Sequence, residues 1–129
     1  MIKALKIDVV KQEVYYVDLK NGLNPIYEHI GNDCSTFAVP VVLANNDGLY
    51  VDDEAYLFEN RLVGGFMLEC TNHPICGNSL IIGIDHNGES EDCLTQIEEI
   101  TNQIIWMSPE EMRTWAVIIN NTPPIVRFF

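Results

Sequence analysis

Apolar residues alternate with polar ones over the opening of the chain. Leu5, Ile7 and Val9 share one parity, with Lys6 and Asp8 on the other. That period of two predicts a half-buried strand. After a short turn at Lys11-Gln12, Tyr15, Val17 and Leu19 repeat the pattern with Asp18 opposite, so the first twenty residues predict a hairpin. Residues 21–31 predict a short helix, with Asn24 as its cap, Pro25 at the first helical position, Glu28 near the positive end of the helix dipole and Gly31 as the stop. A helix of about two turns needs tertiary packing to hold it. Residues 36–44 carry the clearest strand pattern, with Phe37, Val39, Val41 and Leu43 on one face. Pro40 lacks an amide proton and therefore predicts an edge strand or a bulge. Asn45-Asn46-Asp47-Gly48 turns the chain, and Leu49-Tyr50-Val51 begins the return strand.

The pattern is less decisive in the middle. Asp52-Asp53-Glu54 opens a segment in which residues 55–58 fit either a helical turn or a strand. Gly64-Gly65 predicts a sharp bend or a close backbone approach. A strand resumes over residues 66–70, followed by a loop over residues 71–77. The run Leu80-Ile81-Ile82-Gly83-Ile84 has the length and continuity of a central strand buried on both faces, and His86-Asn87-Gly88-Glu89 turns the chain out of it. Beyond it the period lengthens. Leu94, Ile97, Ile100 and Ile104 are spaced by three to four, with Glu98 and Glu99 outside, which predicts an amphipathic helix. Ser108-Pro109-Glu110-Glu111 carries both a cap and a capping box. Met112, Trp115, Ala116 and Ile119 then form a helical stripe that reads as core, ended by Asn120-Asn121-Thr122-Pro123-Pro124. The apolar tail, residues 125–129, reads as packed on this chain or on a second copy.

Strands first and helices last predict an α+β fold: a mostly antiparallel sheet, a short helix after the first hairpin, and two C-terminal helices packed on one face. With 129 residues, the chain reads as a single domain, residues 1–129. Nothing at the N-terminus has the continuous apolar stretch of a signal peptide, and no run approaches the roughly 20 apolar residues that span a bilayer. The expectation is a cytoplasmic protein with no membrane contact, whose four cysteines (Cys34, Cys70, Cys76 and Cys93) are free thiols.

Charge sharpens this picture. Nineteen acidic against seven basic residues give a formal net charge of −12, which excludes gripping nucleic acid or an anionic membrane by bulk charge. The excess is uneven: residues 21–107 hold fourteen acidic groups and one basic, Arg61. Such a stretch is either a solvated face that keeps the protein soluble or an acidic docking surface for a basic protein partner. The charge is too sparse for a mimic of duplex DNA, with its one charge per about 1.7 Å.

Three stretches resemble a known family. They are the opening Met1-Ile2-Lys3-Ala4-Leu5-Lys6-Ile7, the turn Asn45-Asn46-Asp47-Gly48-Leu49 ahead of an acidic segment, and Gly77-Asn78-Ser79-Leu80-Ile81-Ile82-Gly83-Ile84-Asp85 followed by Gly88-Glu89 and Leu94-Thr95. Together, over roughly residues 1–105, the chain resembles domain-of-unknown-function family 3846, small proteins of bacteria, phages and mobile elements. The loop over residues 71–77 and everything from Ser108 onward depart from that pattern. The resemblance implies an intracellular accessory protein and carries over no catalytic residues.

Chemistry-bearing candidates are few. Cys70, His73 and Cys76 have a C-x2-H-x2-C spacing that could bring three zinc ligands together, with Cys34 or Cys93 as the fourth only if the chain folds back. The competing reading is loop residues and buried thiols. A nucleophilic cysteine would need His29, His73 or His86 close by to activate it. The pairs Asp52-Asp53 and Glu91-Asp92 are adjacent in extended segments and so point to opposite faces, as solvated charges do. No glycine loop has phosphate-cradling spacing. The sequence thus predicts no catalytic residue and no cofactor. The leading expectation is a non-enzymatic accessory or regulatory protein, monomer or homodimer, that binds a macromolecular partner. The alternatives are a nucleotide-like small-ligand binder and, behind it, an enzyme of unknown reaction.

Overall fold

A computed structural model describes residues 1–31 and 37–121. The expectations for Cys34, for Pro123-Pro124 and for the tail, residues 125–129, lie outside the described residues. The fold is α+β, and among the described residues every strand pairing is antiparallel. The larger sheet runs in the order β2 (Glu13–Leu19), β1 (Ile2–Asp8), β7 (Ser79–Ile84), β4 (Gly48–Asp52), β3 (Phe37–Val42), with the short β8 (Ser90–Glu91) attached to the end of β7. A smaller sheet runs β6 (Ile75–Cys76), β5 (Gly65–Met67), β9 (Ile105–Met107). The helices are α1 (Asn24–Ile30), α2 (Ile97–Thr101) and α3 (Pro109–Asn120), with single 3-10 turns at Ala55–Leu57 and Glu59–Arg61.

These elements stack in layers. On one face of the larger sheet, Ala4, Leu19, Leu80 and Ile82 pack against Ile26 and Ile30 of α1. On the other, Leu5, Ile7, Leu49 and Ile81 meet Phe66 and Ile75 of the smaller sheet and Ile100 of α2. The far face of the smaller sheet, at Cys76 and Met107, carries Met112 and Ala116 of α3. As its continuous apolar run predicts, β7 is central and buried on both faces. A Cβ on Gly65 would run into the Ile75 carbonyl oxygen and Met112 Sδ, so this position admits α3 only as glycine. Beside it, Gly64 makes the bend at a left-handed φ of 140°. Residues 55–58, open between two readings, contain the 3-10 turn Ala55–Leu57. Ser108 caps α3 as expected: its Oγ accepts from Glu111 N–H at 3.1 Å, and Glu111 Oε1 accepts from Ser108 N–H at 3.1 Å.

Several expectations are corrected. Strand β1 is covered on both faces: Ala4 packs in the cluster beneath α1, and Asp8 is buried at the strand's end, where its Oδ1 accepts from Val10 N–H and Lys11 N–H. Asn24 does not cap α1. The helix begins at Asn24 itself, Leu23 precedes it with no side-chain cap, and Glu28 lies beyond the first turn. Pro40 does sit on an edge strand at a bulge, between Ala38 and Val41, but the bulge breaks the single apolar face. Phe37 points toward α1, stacking between Tyr27 and Tyr50 at 5.4 and 5.3 Å, whereas Val41 and Leu43 face the smaller sheet. The strand from Phe66 stops at Met67, where Leu68 and Thr71 close a turn. The helix expected from Leu94 to Ile104 is confined to Ile97–Thr101, because Ile105–Met107 pair with β5 instead.

Candidate functional site

The turn between β3 and β4 is tied to a loop almost fifty residues later. Asn46 takes a left-handed φ of 72°, and the turn closes through Asn46 N–H to Leu43 O at 2.9 Å and Leu43 N–H to Asp47 O at 2.8 Å. Asp47 is 1% exposed. Its Oδ2 accepts three hydrogen bonds, from Leu94 N–H at 2.9 Å, Thr95 N–H at 2.8 Å and the Thr95 hydroxyl at 2.6 Å. The same hydroxyl oxygen accepts from Asn45 Nδ2 at 3.0 Å. A buried carboxylate is tolerable only with such partners, and here it takes backbone and side-chain donors at once.

This clamp has a consequence at the surface. Pinned by its own amide, Leu94 is held 62% exposed, and nearby Val42 on edge strand β3 is 59% exposed. Both line an open groove whose other walls are Asn45, Asn46, Ile84, Asp85, His86 and Glu91. Asp85 Oδ1 accepts from Asn87 N–H at 2.8 Å and Glu89 N–H at 2.9 Å, which fixes the β7–β8 turn. A second shallow groove, lined by Leu43, Asn45, Thr95 and Glu99, lies on the other side of the clamp. Two exposed aliphatic side chains are thus set in one groove with the carboxylates of Asp85 and Glu91, on a hydrogen-bonded base. Arg61, the one basic residue between positions 21 and 107, is turned inward. Its Nη1 lies 3.2 Å from Asp52 Oδ2, and its guanidinium stands 4.4 Å over the Phe58 ring. The surface of this stretch therefore presents carboxylates without a neighbouring cation from the same stretch.

The sequence-predicted site residues lie elsewhere and do not converge. Cys70 is exposed, whereas His73 and Cys76 are buried. His73 Nδ1 is 3.0 Å from the Pro74 carbonyl oxygen, and its ring meets Tyr56 edge-on at 6.3 Å. Cys76 Sγ donates to the Arg61 carbonyl oxygen at 3.6 Å. Cys93 packs in a different layer, against the larger sheet. Among the described residues, no three His, Cys, Asp or Glu side chains are placed to hold a metal ion.

His73 and Cys76 do share the wall of a cavity with Tyr56 and Asp52. Burial, helped by the charge of Asp52, pushes the Cys76 thiol up to about 12, the reverse of what a nucleophilic thiolate needs. His29 instead meets Lys6 Nζ at 3.3 Å beneath α1, where burial lowers both groups. His86 is exposed at the groove. The carboxylate pairs separate, but Asp52 is not the solvated charge expected. Asp52 turns in to Arg61 while Asp53 stays exposed, and Asp92 accepts from Lys3 N–H at 2.7 Å while Glu91 lines the groove.

Sequence reasoning missed Asp47. It read the residue as part of a turn, because its partners are 47 and 48 positions away and no local signal names them. Among the described residues, no helix is long and apolar enough to cross a membrane. No protein-family model matches the chain, and no curated protein or solved structure matches it.

Proposed function

We propose that this chain is a non-enzymatic accessory protein of the cytoplasm that docks a basic protein partner on the groove beside the Asp47 clamp. The observation that carries this reading is the exposure of Leu94 and Val42, 62% and 59%, on a pre-formed base walled by Asp85 and Glu91. Exposed aliphatic anchors supply contact energy, and a pre-ordered surface loses little entropy on binding. The surrounding carboxylates favour a partner that brings lysine or arginine next to apolar side chains. The resemblance to family 3846, with its mobile-element context, is compatible with such a role.

A nucleotide-like ligand has less support. The groove's carboxylates repel phosphate. The cavity walled by Tyr56, His73 and Cys76, at about 70 Å³, is well below the roughly 300–1,000 Å³ of ordinary small-molecule sites.

The test uses a synthetic peptide alternating leucine with lysine, alongside a counterpart with glutamate in place of lysine. The lysine peptide is expected to shift amide resonances of residues 42–47 and 84–94, to bind more weakly as salt rises, and to lose about tenfold or more in affinity with Leu94→Asp. Equal binding of both peptides, or shifts mapping elsewhere, defeats the proposal.

A further inference from the structure

The cavity beside α3 is a separate feature with its own chemistry. It lies between the end of β4, the 3-10 turn Ala55–Leu57, the segment leading into β6 and the last turn of α3. Val51, Leu57, Pro74, Ile75 and Ile119 make its walls largely apolar. Its position is fixed by Asn120 Nδ2, which donates to the Tyr56 carbonyl oxygen at 3.0 Å, and by the Tyr56 hydroxyl, which donates to the Pro74 carbonyl. The space of about 70 Å³ is roughly half of a cavity that admits the six carbons of benzene, room for about three carbons, and it is partly open, so the last carbon and a charged end of a longer stem reach the mouth.

Two carboxylates, Asp52 and Asp53, line the same space. Asp52 is engaged by Arg61, but Asp53 is exposed and adds a second negative charge against that single guanidinium. An anion is therefore disfavoured, and a purely apolar group would leave the carboxylate side without a counter-charge. A short hydrocarbon stem ending in an ammonium satisfies both parts, with the stem against Val51, Ile75 and Ile119 and the charge beside Asp53.

We infer that this cavity receives an alkylammonium group, the four-carbon stem and ammonium of a lysine side chain or of a free aliphatic amine. This site is independent of the docking groove, which contains none of its residues.

Titration with n-butylammonium, n-butanol and an acetylated, amidated lysine peptide, read by methyl NMR, tests it. Butylammonium is expected to shift the methyl resonances of Val51, Ile75 and Ile119, with n-butanol at least about tenfold weaker, since the ammonium contributes a charge-assisted contact. Asp53→Asn, an exposed position whose change leaves the core intact, is expected to reduce butylammonium affinity several-fold. A lysine peptide that binds as well as the free amine assigns the site to a protein side chain, and binding by the free amine alone assigns it to a small molecule. No shift at these methyls, equal binding of butanol, or undiminished affinity in Asp53→Asn overturns the inference. Leu94→Asp leaves this titration unchanged, so failure here is distinguishable from failure of the groove.

Discussion

Replacing Asp47 tests the clamp that builds the groove. Asp47→Ala removes an acceptor that receives three hydrogen bonds at 2.6–2.9 Å and leaves Leu94 N–H, Thr95 N–H and the Thr95 hydroxyl seeking partners. Hydrogen bonds to a charged group contribute about 1.5–3 kcal/mol each, so three would sum to roughly 5–9 kcal/mol if independent. They are not independent, because they share one oxygen and the exposed Leu94 lets water reach part of the loop. The expected loss is about 3–5 kcal/mol, a large part of the roughly 5–15 kcal/mol by which a domain is stable. Asp47→Asn keeps the shape and one acceptor, and is expected to cost about 1–2 kcal/mol. Thr95→Val removes the shortest of the three bonds, and a double-mutant cycle with Asp47→Asn should show coupling of about 0.5–3 kcal/mol. Urea unfolding measures all of these. With a slope of about 2 kcal/mol per molar, Asp47→Ala should move the midpoint down by roughly 2 M. A midpoint shift under about 0.5 M would mean that the loop finds other partners and that Asp47 does not hold the groove.

Other perturbations follow from separate parts of the structure. Ser108→Ala removes the acceptor for Glu111 N–H and should cost about 0.5–2 kcal/mol in thermal unfolding, and an unchanged midpoint would refute the cap. Cys76 is held protonated in the fold, with its value raised from 9.0 to about 12. The unfolded chain therefore releases this proton first as pH rises, and the thiol's contribution to stability is fully present below about 9 and lost on the way to about 12. The unfolding free energy across that window should fall by up to about 1.4 kcal/mol per pH unit, read from denaturant titrations, and Cys76→Ala should flatten the decline. If Cys76→Ala shows the same alkaline slope as the parent, the thiol is not its source.

Much of the fold was legible locally because its determinants are local. Strand alternation in β1 and β2, the continuous apolar run of β7 and the capping box at Ser108 each depend on residues within one element, where period and backbone geometry leave few options. The bend at Gly64 and the turn around Gly88 are likewise set by nearby backbone. Tertiary structure decided the rest. Ile100 and Ile104 carried a helical spacing, yet the helix stops at Thr101 and Ile105–Met107 became a strand because β5 offered unpaired backbone groups, a long-range partner that no window of sequence contains. The bulge at Pro40 was foreseen, but not that it would send Phe37 and Val41 to opposite layers, since a one-residue offset reverses every side chain beyond it. The candidate site was least visible of all. Leu94 read as one position in an apolar stripe, and only the buried carboxylate of Asp47, 47 residues away, holds its backbone so that the side chain faces solvent. Arg61 likewise read only as the single basic residue of an acidic stretch, and the fold draws it inward to Asp52 and Phe58. In each case the deciding interaction joins groups that only the folded chain brings together.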